Sequence, residues 1–249
     1  MNIGLPLQDV TGGGTDCADL DTGTLSALGN QFAASCNECA VEHRKQLWER
    51  AVTTLESDPF FEVAEVSKIL VWDSEKISSF FQGRLSSGHR IVLLTISRLV
   101  EKVEEKTLVL IDEPEVHLHP PLLSAFIRAL SDLMLSQNGV AIIATHSPVV
   151  LQEVPRNCVW RLERSCRTVV ALRPERETFG ENLGALTRDV FGYEVTDSGF
   201  HKMIHRAVEE HQDFESAVNS FGGNLGGEAR AILRGLFALK MSGSASKSE

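Results

Sequence analysis

The run LVLIDEPEVHLHP, Leu108 to Pro120, sets two adjacent carboxylates, Asp112 and Glu113, at the end of a short apolar stretch. In an open α/β sheet, ligands bind beyond the carboxyl ends of the strands, so a strand TLVLID presents both acids to a ligand. An aspartate there suits hydrated magnesium, a hard cation that prefers carboxylate and water oxygens. The adjacent glutamate can orient or deprotonate an attacking water. A second apolar run, GVAIIAT, leads to His146 and then to the turn signal Ser147–Pro148. If the two strands are neighbours, His146 reaches the same phosphate and can hydrogen-bond its terminal oxygens and the water. A third group, LSSGH (Leu85–His89), stands directly before a helix. Small hydroxyl residues and a glycine there expose backbone N–H groups to an anion, although Ser86 or Ser87 can equally be no more than a helix cap.

The elements that would position these groups show in the periodicity. From Ile91 to Val103, apolar side chains fall at 91, 92, 94, 96, 99, 100 and 103, which predicts a helix with a wide buried face. TLVLID and GVAIIAT are continuous apolar runs, the pattern of strands buried on both faces. Between them HPPLLSAFIRALSDLMLSQ opens on proline and continues with periodic Leu, Phe and Ile, a helix. Helix, strand, helix, strand with short connections is the grammar of a parallel sheet, so the expected class is α/β. Upstream, about Ala33 to Leu55 and Val63 to Val71 have helical spacing, with DPF between them. The first thirty or so residues, rich in Gly, Thr and Asp, read as loop or poorly ordered backbone. CVWRLERSCRTVVALRP reads as a hairpin at the sheet's edge. LGALTRDVF, HKMIHRAVEEHQDFESAVNSF and EARAILRGLFALKM then read as helices, ahead of a disordered SGSASKSE.

Composition bounds the rest. A chain of 249 residues with 43% hydrophobic and 23% charged residues can build a substantial core, and 6% aromatics make that core aliphatic. A net charge of −10 argues against a broadly basic nucleic-acid surface, so any contact with nucleic acid is local or indirect. Five cysteines, no secretory signal and no apolar segment long enough for a bilayer give a cytoplasmic, reducing setting and no membrane partner.

LSSGH, LVLIDEPE and VAIIATHSP, in that order, resemble the second half of an ATP-binding-cassette ATPase. Leu85–His89 match its signature, Leu108–Glu113 its Walker B strand, Glu115–Pro120 its D-loop and Thr145–Pro148 its switch histidine. The wording DEPEVHLHP and THSP looks like the RecF, OLD and SMC-like branch. The stretch from VVLQEVPR to ENLGALTRDVFG looks like the PtuA-like ATPases of Septu and retron-linked antiviral systems. The resemblance covers about residues 80–195. It implies a partial P-loop NTPase-like parallel sheet flanked by helices. Residues 1–80 would be loop plus a helical insert, 81–180 the ATPase core, and 181–249 a mostly helical region with a disordered tail. It also implies ATP and Mg²⁺ as ligands: Asp112 holds the metal, Glu113 activates water, His146 senses the γ-phosphate, and Ser86, Ser87 and Gly88 touch ATP held by an opposite protomer. Such ATPases switch an assembly, and in the antiviral systems an HNH-type nuclease is the expected partner, since the chain has no Toprim-like or HNH motif. A RecF-like repair ATPase and a non-catalytic scaffold are the alternatives. The pattern departs at three places: Ser87 stands for the first signature glycine, His89 for the usual glutamine, and His119 or its neighbours for the usual D-loop aspartate.

A phosphate loop needs G-x-x-x-x-G-K-[ST], and the chain has no Gly-Lys dipeptide. TGGGTD at Thr11 and GGNLGGE at Gly222 have glycines without lysine and read as connectors. Two expectations follow: a fragment of a longer ATPase, which is favoured, or a separate or full-length protomer supplying the loop. Cys36 and Cys39, in CNEC, have half a zinc site's spacing but no second pair, so two thiols one helical turn apart are expected. His117 and His119 are read as D-loop residues and not metal ligands. His201 and His205 are read as a solvated helix face, and the arginines of 156–167 as edge-strand charges.

Overall fold

The structure is a computed structural model that describes residues 22–165, 168–191 and 199–245. The chain divides into two compact units, Met1–Leu183 and Gly184–Glu249.

In the first unit, α1 (Thr22–Cys39) and α2 (Glu42–Leu55) are separated at Val41, whose extended backbone opens α2. The single helical stretch expected over 33–55 is therefore two helices, and the first starts within the segment expected to be loop. The reason is tertiary: α1 runs against α4 (Ser74–Gly83), where a Cβ on Gly29 would stand 2.9 Å from Ser78 Oγ and Gln82 Nε2. Ring stacking of Phe32 on Phe81, at 4.9 Å between centroids, continues that seam. Residues 1–21, including the TGGGTD stretch, lie outside the described residues.

Asp58 caps a short helix α3 (Pro59–Ala64), and a 3₁₀ turn (Val66–Val71) leads on to α4. Ser86 caps α5 (Ser87–Lys102), which begins four residues before the predicted periodic run and buries Val92, Leu93, Ile96 and Leu99. Trp48 Nε1 donates to Ser97 Oγ at 2.9 Å inside this helical core, satisfying the one polar atom a buried indole carries. Then follow β1 (Leu108–Asp112), α6 (Pro120–Ser136, capped by His119), β2 (Val140–Ala144) and α7 (Pro148–Gln152, capped by Ser147). Proline starts both α6 and α7, where its missing N–H costs nothing.

β1 and β2 pair in parallel, with Asp112 opposite Ala144. One expectation is corrected here: the strands are not buried on both faces. Val109 is buried against the helices, while Leu110 is 70% and Ile142 57% exposed, with Leu108 and Val140 beside them. Alternation is what a sheet shows when helices cover one face, and among the described residues α6 is the helix packed on β2. The hairpin is also displaced from its expected place. β3 (Arg161–Ser165) and β4 (Thr168–Leu172) form a separate antiparallel pair instead of an edge of the parallel sheet.

The second unit holds α8 (Leu183–Phe191), α9 (Gly199–Glu210), α10 (Phe214–Ser220) and α11 (Gly227–Ala245). Ile204, Val208, Val218, Leu233 and Phe237 make its core. Lys240 Nζ donates to the carbonyls of Val208 and His211, closing the end of α9 as a cation near a helix C-terminus should. His201, expected on a solvated face, is buried and packs on Phe200 at 4.2 Å. GGNLGGE links α10 to α11 through Gly222 and Gly223 at φ 62° and 76°. The final helix runs on into the serine-rich tail as far as Ala245, and residues 246–249 lie outside the described residues. No described helix is long and apolar enough to cross a membrane.

Candidate nucleotide site

Parallel pairing of β1 with β2 is what brings the acids and the histidine together. Asp112 ends β1 exposed, an oxygen donor of the kind a hydrated hard cation takes. Glu113 N donates to Ala144 O at 2.8 Å, extending the ladder one step beyond the strand. Its φ of 47° then turns the chain sharply away from the sheet. A non-glycine residue in the left-handed region costs roughly 1–2 kcal/mol. Such strain collects at sites where a side chain must be aimed. Here it leaves the Glu113 carboxylate half in solvent, 3.5 Å from His146 Nδ1.

Glu115 organises the other half of the site, and sequence reasoning assigned it no role of its own. Its Oε1 accepts from Thr145 Oγ1 at 2.7 Å and from the His146 backbone N–H at 2.9 Å. The same oxygen lies 3.2 Å from His146 Nδ1. Thus one largely buried carboxylate on the β1 side grips the loop after β2 at three points. With Nδ1–H directed at Glu115, the exposed His146 ring keeps Nε2 for a ligand. The second oxygen of Glu115 is buried without a hydrogen-bond partner among the described residues. The signal that could have found Glu115 is its place in DEPE, two residues past a strand end, facing a Thr-His pair on the next strand.

The signature residues form a second group. Ser86 is the cap of α5: its Oγ accepts from His89 N at 3.3 Å and lies 2.5 Å from His89 Nδ1. Ser87 opens the helix half-buried, and Gly88 is buried. A Cβ on Gly88 would meet His117 O at 2.9 Å, so glycine here is required by the close approach of the α5 start to the segment after β1. Of the two readings of this stretch, the helix cap is the one seen: Ser86 Oγ closes the first turn of α5. His117 itself sits at φ 67° and is exposed.

Behind the signature lies a cluster that the sequence did not reveal. Asp58, 2% exposed at its side chain, is 3.2 Å from His89 Nε2 through Oδ1 and 3.6 Å from His119 Nε2 through Oδ2. Asp58 Oδ1 also accepts from Phe60 N at 3.0 Å. The rings of Phe60 and Phe61 close on His89 at 4.6 and 4.9 Å.

Cys36 and Cys39 lie one turn apart on α1, both buried. Burial pushes the Cys39 thiol up to about 12 and raises Cys36 further, and Cys39 Sγ donates to Ser97 O. These are inert core thiols.

Residues 51–152 match the family described as "AAA domain, putative AbiEii toxin, Type IV TA system". That stretch runs from α2 to α7 and contains Asp58, the signature, Asp112, Glu113, Glu115 and His146. Over those residues the match supports an ATPase-type domain of this broad branch. The chain is also 45% identical over 237 residues to Protein ea59 of Escherichia phage lambda, an alignment covering 86% of this chain. The chain spans 45% of that relative's length.

Proposed function

We propose that this chain carries the water-activating and signature-bearing part of an ABC-type ATPase of the RecF/OLD/PtuA-like group. The observation that carries the reading is the convergence of Asp112, Glu113 and His146 at one end of the β1–β2 pair, clamped by Glu115. Asp112, with its carboxylate oxygens in solvent, holds Mg²⁺, which when bound supplies charge neutralisation to phosphoryl oxygens. Glu113 accepts a proton from, and orients, the attacking water. His146, its Nδ1–H taken by Glu115, turns Nε2 to the terminal phosphoryl group. The signature turn, through Ser86, Ser87 and Gly88, faces ATP held by an opposite protomer, so that nucleotide switches an assembly.

The exposed face of the sheet fits the same reading. Two parallel strands showing Leu108, Leu110, Val140 and Ile142 to water form a layer that expects cover, because parallel sheets are stable with both faces packed. A strand-loop-helix segment carrying G-x-x-x-x-G-K-[ST] would cover it and bring the lysine that the sequence here does not contain. Its source is either the same longer polypeptide or another protomer. From the resemblance of residues 80–195 we further read the setting as bacterial antiviral defence, with an HNH-type nuclease as partner and nucleic acid contacted through that partner.

The test is complementation. The chain is mixed with a phosphate-loop-bearing half derived from a full-length relative, and phosphate release is followed. Turnover that appears only in the mixture, and disappears with Glu113→Gln here or with Lys→Ala in the loop, supports the reading. A mixture that associates yet stays inactive at every protomer ratio refutes it and leaves a non-catalytic scaffold. Leu110→Asp separates the two surfaces: it should prevent association while leaving the chain folded.

A further inference from the structure

The signature turn and the turn after β1 are fastened to the same buried carboxylate. Ser86 reaches it through His89, and His119, which caps α6, reaches it directly. We infer that Asp58 is a positioning residue that locks these two turns into one rigid piece. The signature then cannot move against the D-loop when nucleotide binds or leaves. This rests on the reading of Ser86–Gly88 and the 113–119 turn as nucleotide-facing.

With both rings neutral, the donors and acceptors admit one consistent assignment. The Leu122 backbone N–H can only donate, and it points at His119 Nδ1 at 3.4 Å, so that nitrogen is the acceptor. In a neutral ring Nε2 then carries the proton, and it faces Asp58 Oδ2 at 3.6 Å. An ionised carboxylate accepts only, so His89 Nε2–H donates to Oδ1. His89 Nδ1 is left as an acceptor for the Ser86 hydroxyl. With the Ser86 proton held inward, Ser87 and Gly88 offer their backbone N–H groups as the donors an incoming phosphate would meet.

The same three side chains also have the spacing of a metal site, since one ligand atom from each lies within 4.8 Å of the others. Two observations weigh against a cation and for a carboxylate. Asp58 is the N-cap of α3, its Oδ1 accepting from Phe60 N, and the positive end of a helix dipole favours an anion. His119 Nδ1 is already an acceptor, which leaves a protonated Nε2, and a protonated nitrogen is not a ligand. Close packing of Gly88 on His117 O adds a steric tie between the same two turns.

The first measurement needs no nucleotide: imidazole nitrogen NMR of the chain labelled with ¹⁵N-histidine. Both rings should show a protonated Nε2 and an unprotonated Nδ1, and a protonated Nδ1 on either overturns the assignment. The link itself is read by perturbing one turn and watching the other. His119→Gln, a half-exposed change that leaves the core intact, should speed amide exchange at His89 by about 10-fold, the loss expected when a contact to a buried carboxylate goes. Exchange at His89 that does not respond would show two independent turns. Asp58→Asn has one acceptor oxygen in place of two, so it should release one of the rings; if that variant does not fold, His119→Gln still decides. In the complemented ATPase, Asp58→Asn should raise KM for ATP by about 10-fold while kcat stays close to the parent. Equal loss in kcat would place Asp58 elsewhere than in positioning. Should the parent mixture show no turnover at all, the ATPase reading fails, and the NMR and exchange results still judge the link.

Discussion

Glu113 gives the most direct check on the site's geometry. At φ 47° it is held in a backbone region that L side chains enter at a cost of roughly 1–2 kcal/mol. Glu113→Ala keeps the Cβ and so keeps that strain. Glu113→Gly removes it, but gives the unfolded chain about 0.5–1 kcal/mol of extra conformational freedom. Glycine should therefore be more stable than alanine at this position by roughly 0.5–1 kcal/mol, the reverse of the order at an ordinary loop site. The lost contact with His146 is common to both variants. It joins two groups that are 55% and 68% exposed at 3.5 Å, so it contributes little to the parent. The assay is urea unfolding followed by tryptophan fluorescence. The chain's three tryptophans, Trp48, Trp72 and Trp160, all lie in the first unit, so the signal reports the unit that holds the site. In thermal scans the glycine variant should melt about 2 °C above the alanine variant. Both variants should be inactive in the complemented ATPase. Alanine equal to or more stable than glycine would mean that Glu113 is not held left-handed, and the aim of its carboxylate derived above would fall with it.

Three further outcomes follow from particular contacts. Gly88→Ala drives a Cβ to 2.9 Å from His117 O, a backbone atom that cannot swing aside, and should cost about 1–3 kcal/mol in urea unfolding. Glu115→Ala removes the acceptor of Thr145 Oγ1 and His146 N, and should lower stability by about 1.5–3 kcal/mol and speed amide exchange at His146. Alkaline pH tests the buried thiols: the folded pKa of Cys39 is about 12 against an ordinary 9.0. Its raised value means that its contribution is complete below pH 9 and is lost as pH rises toward about 12, at about 1.4 kcal/mol per pH unit. Cys36 adds a loss of the same sign, so the slope of stability between pH 9 and 11 should flatten in Cys39→Ala. An unchanged slope would refute burial of that thiol.

The local chemistry of each turn could be read from residue types, because it depends on neighbours a few positions away. Ser86 before a periodic run and the prolines after His119 marked helix starts, and both start helices; Asp58, His119 and Ser147, read as a break, a D-loop residue and a turn, are caps as well. The apolar runs became β1 and β2 for the same reason, and DE and TH fell at their carboxyl ends. Hairpin strands around 161–172 were likewise legible, although their separation from the parallel sheet was not. The break at Val41 and the early start of α1 were missed because packing against α4 decides them, and no local signal marks that contact.

By itself, then, the sequence determined which residues are able to bind a hard cation, orient water and cap helices, since charge, donor count and periodicity are properties of single residues and short spacings. Tertiary structure alone decided which of them meet. Parallel pairing set Glu115 under His146, an encounter across thirty-one positions, and three separated turns brought Asp58, His89 and His119 onto one carboxylate. It also left Leu110 and Ile142 facing water. An apolar run reads the same whether its second face is covered or bare, because burial belongs to the neighbours a strand acquires and not to its own residues.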